Sequence, residues 1–166
     1  MNNKNRPKVR PELETADILI EMIGLMGLLV LIGLPLYYYP ELPDQVPHHY
    51  GADGVPDRWG GKGIVWTLPA IGAFLYAGLW YLNRFPHIFN YMVEITQQNA
   101  IAQYRLATRL IRSLNAFTAW LFAYINYAIV QGGLKGSFDL GMWFLPTLIG
   151  GMLLLIVVFM YRATKA

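Results

Sequence analysis

The chain has 166 residues, 55% of them hydrophobic, no cysteine and a formal net charge of +3. A positive mean hydropathy places it with membrane proteins rather than around a single soluble core, and the missing cysteines exclude disulfides and thiolate metal sites. The basic balance does not point to nucleic acid, because the cations gather at the ends of apolar runs and form no basic-aromatic face.

Four apolar runs, at about 18–39, 64–82, 114–131 and 142–161, approach the ~20 residues that cross a hydrocarbon core about 30 Å thick. The expected fold is an all-α integral membrane protein with four transmembrane helices in a single membrane domain covering 1–166. With the amino terminus in the cytoplasm, Lys4, Arg6, Lys8, Arg10, Arg84, Arg105, Arg109, Arg112, Arg162 and Lys165 lie on that side, and only Arg58, Lys62 and Lys135 lie opposite. The positive-inside rule therefore favours both termini in the cytoplasm and the loop at 40–63 outside.

In chain order, residues 1–15 form a basic tail that Pro7 and Pro11 keep from being a long helix, expected to lie against anionic headgroups. The first span carries Asp17 and, inside the run, Glu21. A carboxylate so close to the end is expected to reach the interface or pair with a basic neighbour. Gly24, Gly27 and Gly33 lighten the helix for close packing, and Tyr37, Tyr38 and Tyr39 mark its outer boundary before Pro40. The second span holds Pro69 and a small-residue set of Gly72, Ala73, Ala77 and Gly78, with Trp80 and Tyr81 at its inner end.

From 90 to 112 the apolar residues recur at helical spacing and no Pro or Gly interrupts the chain. A cytoplasmic amphipathic helix over 90–112 is expected to run into the third span and to present Glu94, Gln97, Gln98, Gln103, Arg105 and Arg109 to water or headgroups. Asn126 and Thr118 in that span can hydrogen-bond across helices. Residues 131–141 make a Gly-rich outer turn, and the last span exits at Tyr161 and Arg162.

The outer loop concentrates the polar chemistry. Val46–Tyr50 and Val55–Trp59 flank Gly51-Ala52-Asp53-Gly54, which predicts a short β-hairpin stiffened by Pro43, Pro47 and Pro56. Its candidate binding residues are Asp44, His48, His49, Asp53, Asp57, Arg58, Trp59 and Lys62. His49 and Asp57 have the ligand types that zinc accepts, but neighbouring histidines on an extended strand point to opposite faces and no metal motif occurs, so no metal site or cofactor is assigned. The expected roles are turn capping and pairing with Arg58 and Lys62. The two serines, Ser113 and Ser137, have no His–Asp partners nearby, and no phosphate-binding glycine loop is present, so nothing supports an enzyme.

The run Leu42 to Lys62, LPDQVPHHYGADGVPDRWGGK, following a first transmembrane helix, resembles the signature of the family labelled domain of unknown function 1648, which also occurs in the SDP toxin-immunity (SdpI-like) membrane proteins. The matching residues are Leu42, Pro43, Asp44, Val46, Pro47, His49, Tyr50, Gly54, Asp57, Gly60 or Gly61, Lys62 and Pro69, and the resemblance extends over roughly 18–115. It implies a multi-pass protein of the bacterial cytoplasmic membrane. The best-known member of that group confers immunity to a secreted killing peptide and signals by recruiting a repressor to the membrane.

The function expected from these readings is recognition of an extracytoplasmic peptide or membrane-protein partner by the outer loop. A small transporter subunit, a metal-dependent membrane enzyme using the loop, and a membrane scaffold stay open as alternatives. A homo-oligomer also stays open, and the lipid bilayer is the one partner that the composition itself demands.

Overall fold

The computed structural model describes residues 6–165; the expectations for the tail before Arg6 lie outside the described residues. It is mostly helical, and four helices are long and apolar enough to cross a membrane. Helix α1, Thr15–Tyr38, opens on a capping box: the Glu14 side chain accepts a first-turn N–H, and the Asp17 carboxylate accepts the Glu14 N–H at 3.0 Å. A short 3-10 turn containing Pro40 ends it. The antiparallel strands β1, Gln45–Tyr50, and β2, Pro56–Gly61, form the hairpin that the turn residues predict. A further 3-10 turn, Lys62–Trp66, leads into α2, Thr67–Leu82.

The expected helix over 90–112 is corrected at its start. Helix α3 runs Ala100–Lys135, and the preceding residues form turns. Thr96 and Asn99 bond each other's backbone N–H groups with their side chains, at 2.9 and 3.3 Å, and Asn99 also donates to the Glu94 carbonyl at 2.9 Å. Side chains that satisfy the local backbone in this way compete with the helix and stop it from extending backwards. From Ala100 the expected continuity into the third span holds. At 1.5 Å per residue α3 is about 54 Å long, well beyond a hydrocarbon core of about 30 Å. It ends at Gly136, whose φ of 81° supplies the left-handed cap. Helix α4, Phe144–Ala163, completes the chain.

Contacts between α1 and α3 advance together along both chains: Asp17 meets Arg109, Gly24 meets Ala116, Gly27 meets Ala119 and Trp120, and Leu31 meets Asn126. The two helices are therefore parallel, and α2 packs alongside both in the opposite sense, with Asn83 donating to the Thr108 carbonyl and Gly72 covered by Leu31. Helix α4 is antiparallel to α3: Tyr124 stacks on Phe144 at one end, and Gln103 donates to the Ala163 carbonyl at the other, 2.8 Å away. The first described residues and the end of α4 consequently lie on the side opposite the hairpin.

Lipid offers no hydrophobic drive between helices, so close backbone approach and polar contacts must hold them. Gly24 and Gly27 provide the approach; a Cβ at Gly27 would lie 2.9 Å from Trp120 Cδ1. That indole cannot swing away freely, because its N–H donates to the Ile23 carbonyl at 2.9 Å. Pro35 has no N–H to offer the Leu31 carbonyl four residues earlier, and the buried Asn126 amide donates there instead, at 3.4 Å. Gly33 and Gly78 have no such neighbours, so the expected packing role applies to Gly24, Gly27 and Gly72 and not to those two. Helix α4 has no buried residue.

Gly27→Ala should destabilise the protein by about 1 to 3 kcal/mol through overpacking against Trp120, whereas Gly33→Ala, which adds a methyl to open space, should be neutral or stabilising by up to about 1 kcal/mol. Unfolding in mixed micelles of increasing SDS fraction, followed by circular dichroism, compares the two.

Candidate functional site

The hairpin is seated on the bundle by one set of side chains and leaves another set free. Leu42, Val46 and Pro47 are buried, and with Val65, Ile129 and Val130 the first two form the apolar cluster beneath the hairpin. The seat is cut into α3: a Cβ at Gly132 would lie 2.6 Å from Pro47 Cγ, and one at Gly133 would lie 2.7 Å from Val46 Cγ1. Only glycine allows β1 so near the helix backbone.

The turn is closed by backbone bonds, Gly51 N–H to the Val55 carbonyl at 2.8 Å and Gly54 N–H to the Gly51 carbonyl at 3.0 Å. Gly54 has φ 81°, a left-handed value suited to glycine. It also sits against the backbone of Gly141, and its carbonyl accepts the Leu140 N–H at 2.9 Å. The hairpin tip is thus clasped to the segment leading into α4.

The predicted site residues fall into separate groups. Asp44 and Lys62 close the hairpin base: their side chains are 3.9 Å apart, the Lys62 N–H donates to the Asp44 carbonyl at 3.0 Å, and the ammonium donates to the Leu42 carbonyl at 3.2 Å while lying over the Tyr39 ring. Asp53 caps the turn by accepting the Val55 N–H at 3.1 Å. His48 and His49 diverge, as alternation along a strand requires: His48 lies against Gly60, and His49 Nδ1 is 2.6 Å from Asp57 Oδ1. Both members of that pair are about half exposed. Arg58 and Trp59 are exposed and have no ion pair or ring partner among the described residues.

Thus Asp53 and Lys62 shape the hairpin, while Asp44, whose side chain is 98% exposed, and His49, Asp57, Arg58 and Trp59 face outward. The expected pairing of the acids with Arg58 is not what forms. Register irregularities between Pro47 and His49, and between His49 and Tyr50, skew the ladder at this point and bring His49 to Asp57. Among the described residues, no group of three or more His, Cys, Asp or Glu is placed to hold a metal.

Sequence reasoning missed a second polar assembly at the opposite end. The expectation that Arg105 and Arg109 face water or headgroups is overturned, because both turn into α1. Arg105 meets Glu14 at 2.9 Å; Arg109 meets Glu14 at 2.7 Å and Asp17 at 2.8 Å; Arg112 meets Glu21 at 2.7 Å. The Asp17 side chain is 2% exposed, so its charge depends on these partners. Gln103, also expected outside, is buried under the end of α4. The pairing of Glu21 with a basic neighbour is as expected. A signal for the rest was present in the spacing: acids at 14, 17 and 21 and arginines at 105, 109 and 112 each occupy one helical face, and two parallel helices bring such faces together.

The tail from Arg6 also has protein partners rather than headgroups alone. Arg6 donates to the Phe89 carbonyl at 2.6 Å and lies over the Tyr91 ring, and Tyr104 donates to the Pro7 carbonyl at 3.0 Å.

The model of the domain of unknown function (DUF1648) matches residues 26–73, which contain the second half of α1, the whole hairpin and the start of α2. A protein of Archaeoglobus fulgidus described as an uncharacterized protein is 32% identical over 88 residues, 48% of this chain and 48% of its own length. The chain therefore spans about half the length of the curated relative it matches. No solved structure matches it.

Two outcomes follow from this geometry. Arg109→Met leaves the buried Asp17 carboxylate with the Glu14 N–H and, as its one remaining cation, Arg112 at 3.8 Å, and should cost about 3 to 5 kcal/mol, against at most about 1 kcal/mol for Arg105→Met at the exposed end of the ladder; the SDS unfolding series measures both. The buried Tyr50 hydroxyl has no partner among the described residues, and burial pushes its ionisation up from 10 to about 12, with Asp139 adding to the shift. The docked hairpin is thus fully favoured while the phenol is neutral, below pH 10, and loses that advantage as pH rises towards 12. In an alkaline absorbance titration, the difference between the native protein and Tyr50→Phe should show one tyrosine ionising near 12.

Proposed function

We propose that the chain is a multi-pass protein of the bacterial cytoplasmic membrane, with both termini inside, whose outer hairpin recognises an extracytoplasmic peptide or protein partner in an immunity or signalling role. The observation that carries this reading is the division of labour within the hairpin. One set of side chains fastens it to α3 and to the segment before α4, and His49, Asp57, Arg58 and Trp59 are left exposed on a preformed frame. A rigid frame lowers the ordering cost of binding, so its exposed groups are well suited to selective contact.

The orientation rests on charge. On the hairpin side, Glu41, Asp44, Asp53, Asp57 and Asp139 outnumber Arg58, Lys62 and Lys135, whereas Arg6, Lys8, Arg10, Arg84, Arg162 and Lys165 crowd the other end. The resemblance of the hairpin signature to the toxin-immunity group supports the choice of recognition over transport; the domain model that matches the same residues is one of unknown function.

The absence of native cysteine makes the orientation directly testable. Ala52→Cys should react with a membrane-impermeant maleimide on intact cells, and Gln97→Cys should react only after permeabilisation; the reverse pattern refutes the orientation. For recognition, cells expressing the protein are challenged with the peptides encoded beside its gene. Asp57→Ala and Trp59→Ala should remove protection while leaving the amount of membrane-inserted protein unchanged. Equal survival with and without the protein, across all those peptides, refutes an immunity role.

A further inference from the structure

The cations at the end opposite the hairpin are of two kinds. Arg105, Arg109 and Arg112 are occupied by Glu14, Asp17 and Glu21. Arg10 and Arg84 have no carboxylate partner among the described residues, and both are exposed. They flank one aromatic group at the end of α2. The Arg84 guanidinium lies 4.0 Å from the centroid of the Trp80 ring and 6.0 Å from that of Tyr81; Arg10 lies 5.8 Å from that of Phe85; and Tyr81 stacks edge-on against Phe85 at 5.2 Å. Stacking on the rings holds the guanidinium planes while leaving their N–H edges free to donate.

Trp80 belongs to a second feature as well. A groove of about 460 Å³ between α1 and α2 starts at this ring and is walled by Ile18, Met22, Leu25, Tyr76 and Ala77. Its one charged wall residue is Glu21, which Arg112 neutralises at 2.7 Å. The groove therefore has apolar walls and no unbalanced charge; the Arg84 guanidinium stands on Trp80 at its mouth, and Arg10 lies on Phe85 beyond the Tyr81 ring. Trp80 and Tyr81, 46% and 58% exposed, are the ring types that settle at the headgroup level of a bilayer.

We infer that this is a binding site for an anionic phospholipid, the phosphate held by Arg84 with Arg10 beside it and one acyl chain lying in the groove between α1 and α2. The inference rests on charge complementarity joined to an apolar channel of matching direction. Arginine forks bind phosphate oxygens in pairs, and a chain that leaves the phosphate at Arg84 passes Trp80 directly into the channel. The Glu21–Arg112 pair takes a part in this site that a free carboxylate could not: it keeps the channel wall neutral where the lipid's glycerol region would pass. The site needs only that the helices cross a bilayer, so it is independent of what the hairpin recognises.

The test uses the full chain purified in a neutral detergent, with native mass spectrometry at increasing phosphatidylglycerol or phosphatidylcholine. The native protein should retain phosphatidylglycerol at several-fold lower lipid concentration than phosphatidylcholine. Arg84→Gln should weaken phosphatidylglycerol retention about fivefold, the loss of one cation near an anionic lipid, while Arg84→Lys should recover part of it. Arg162→Gln, which removes a cation elsewhere on the same side, should leave retention unchanged. Ala77→Phe, which fills the groove without altering charge, should reduce retention of both lipids. Circular dichroism confirms that each variant is folded before it is compared. Equal retention of the two lipids by the native protein overturns the inference, as does an equal effect of Arg84→Gln and Arg162→Gln, which would indicate general attraction to a basic surface.

Discussion

The parallel contact between α1 and α3 is the constraint on which the other elements depend. Two parallel helices that are not consecutive in the chain must be brought together without a hydrophobic force, since lipid tails solvate leucine as well as another helix does. The contact is made in three stretches with different chemistry. At the charged end, an acid–arginine ladder couples Glu14, Asp17 and Glu21 to Arg105, Arg109 and Arg112. In the middle, Gly24 and Gly27 bring the backbones close to Ala116 and Ala119, and Trp120 bonds across to the Ile23 carbonyl. Further out, Asn126 serves the Leu31 carbonyl that Pro35 leaves without a partner. Each stretch fixes the same register, so a slip of one turn would break all three at once.

The hairpin inherits its position from that register. Gly132 and Gly133 lie at the far end of α3, where β1 needs an approach that any side chain on those residues would block. Because α1 leads directly into the hairpin and α3 ends beneath it, the α1–α3 register decides whether Val46 and Pro47 meet the two glycines. The tip is then bonded to Leu140, which stands just before α4. Helix α4 has no buried residue and is held mainly at its two ends, by the Tyr124–Phe144 stack and hairpin clasp on one side and by Gln103 on the other. The hairpin and the placement of α4 are therefore mechanically linked through one short backbone contact.

Much of this was legible in the residues themselves. The four spans follow from apolar length alone, and the hairpin from Gly51-Ala52-Asp53-Gly54 between two short extended runs. The loop signature that resembles a family coincides with the hairpin. Less legible was the division inside that signature. Asp44, Asp53 and Asp57 are the same residue type within a short distance, yet one keeps its side chain exposed, one caps the turn and one pairs with His49. The strand irregularity that separates their roles leaves no mark in composition. The start of α3 was misjudged for a local reason: helical spacing of apolar residues continued back to Tyr91, but Thr96 and Asn99 satisfy the backbone by themselves and end the helix there.

By itself the sequence determined that four runs are long and apolar enough to cross a bilayer, roughly where they lie, and which stretch between them is polar, because these depend on run length and on the cost of burying charge. Tertiary structure alone decided which charges are spent within the protein and which remain available. Arg84 and Arg109 are alike as residues, each on the basic side of the chain. Arg109 meets the buried Asp17 because parallel packing aligns two charged faces far apart in sequence, whereas Arg84 lies on a tryptophan with its donors free. That distinction is a matter of register between helices, and the energy that sets register is distributed over contacts with no local signature.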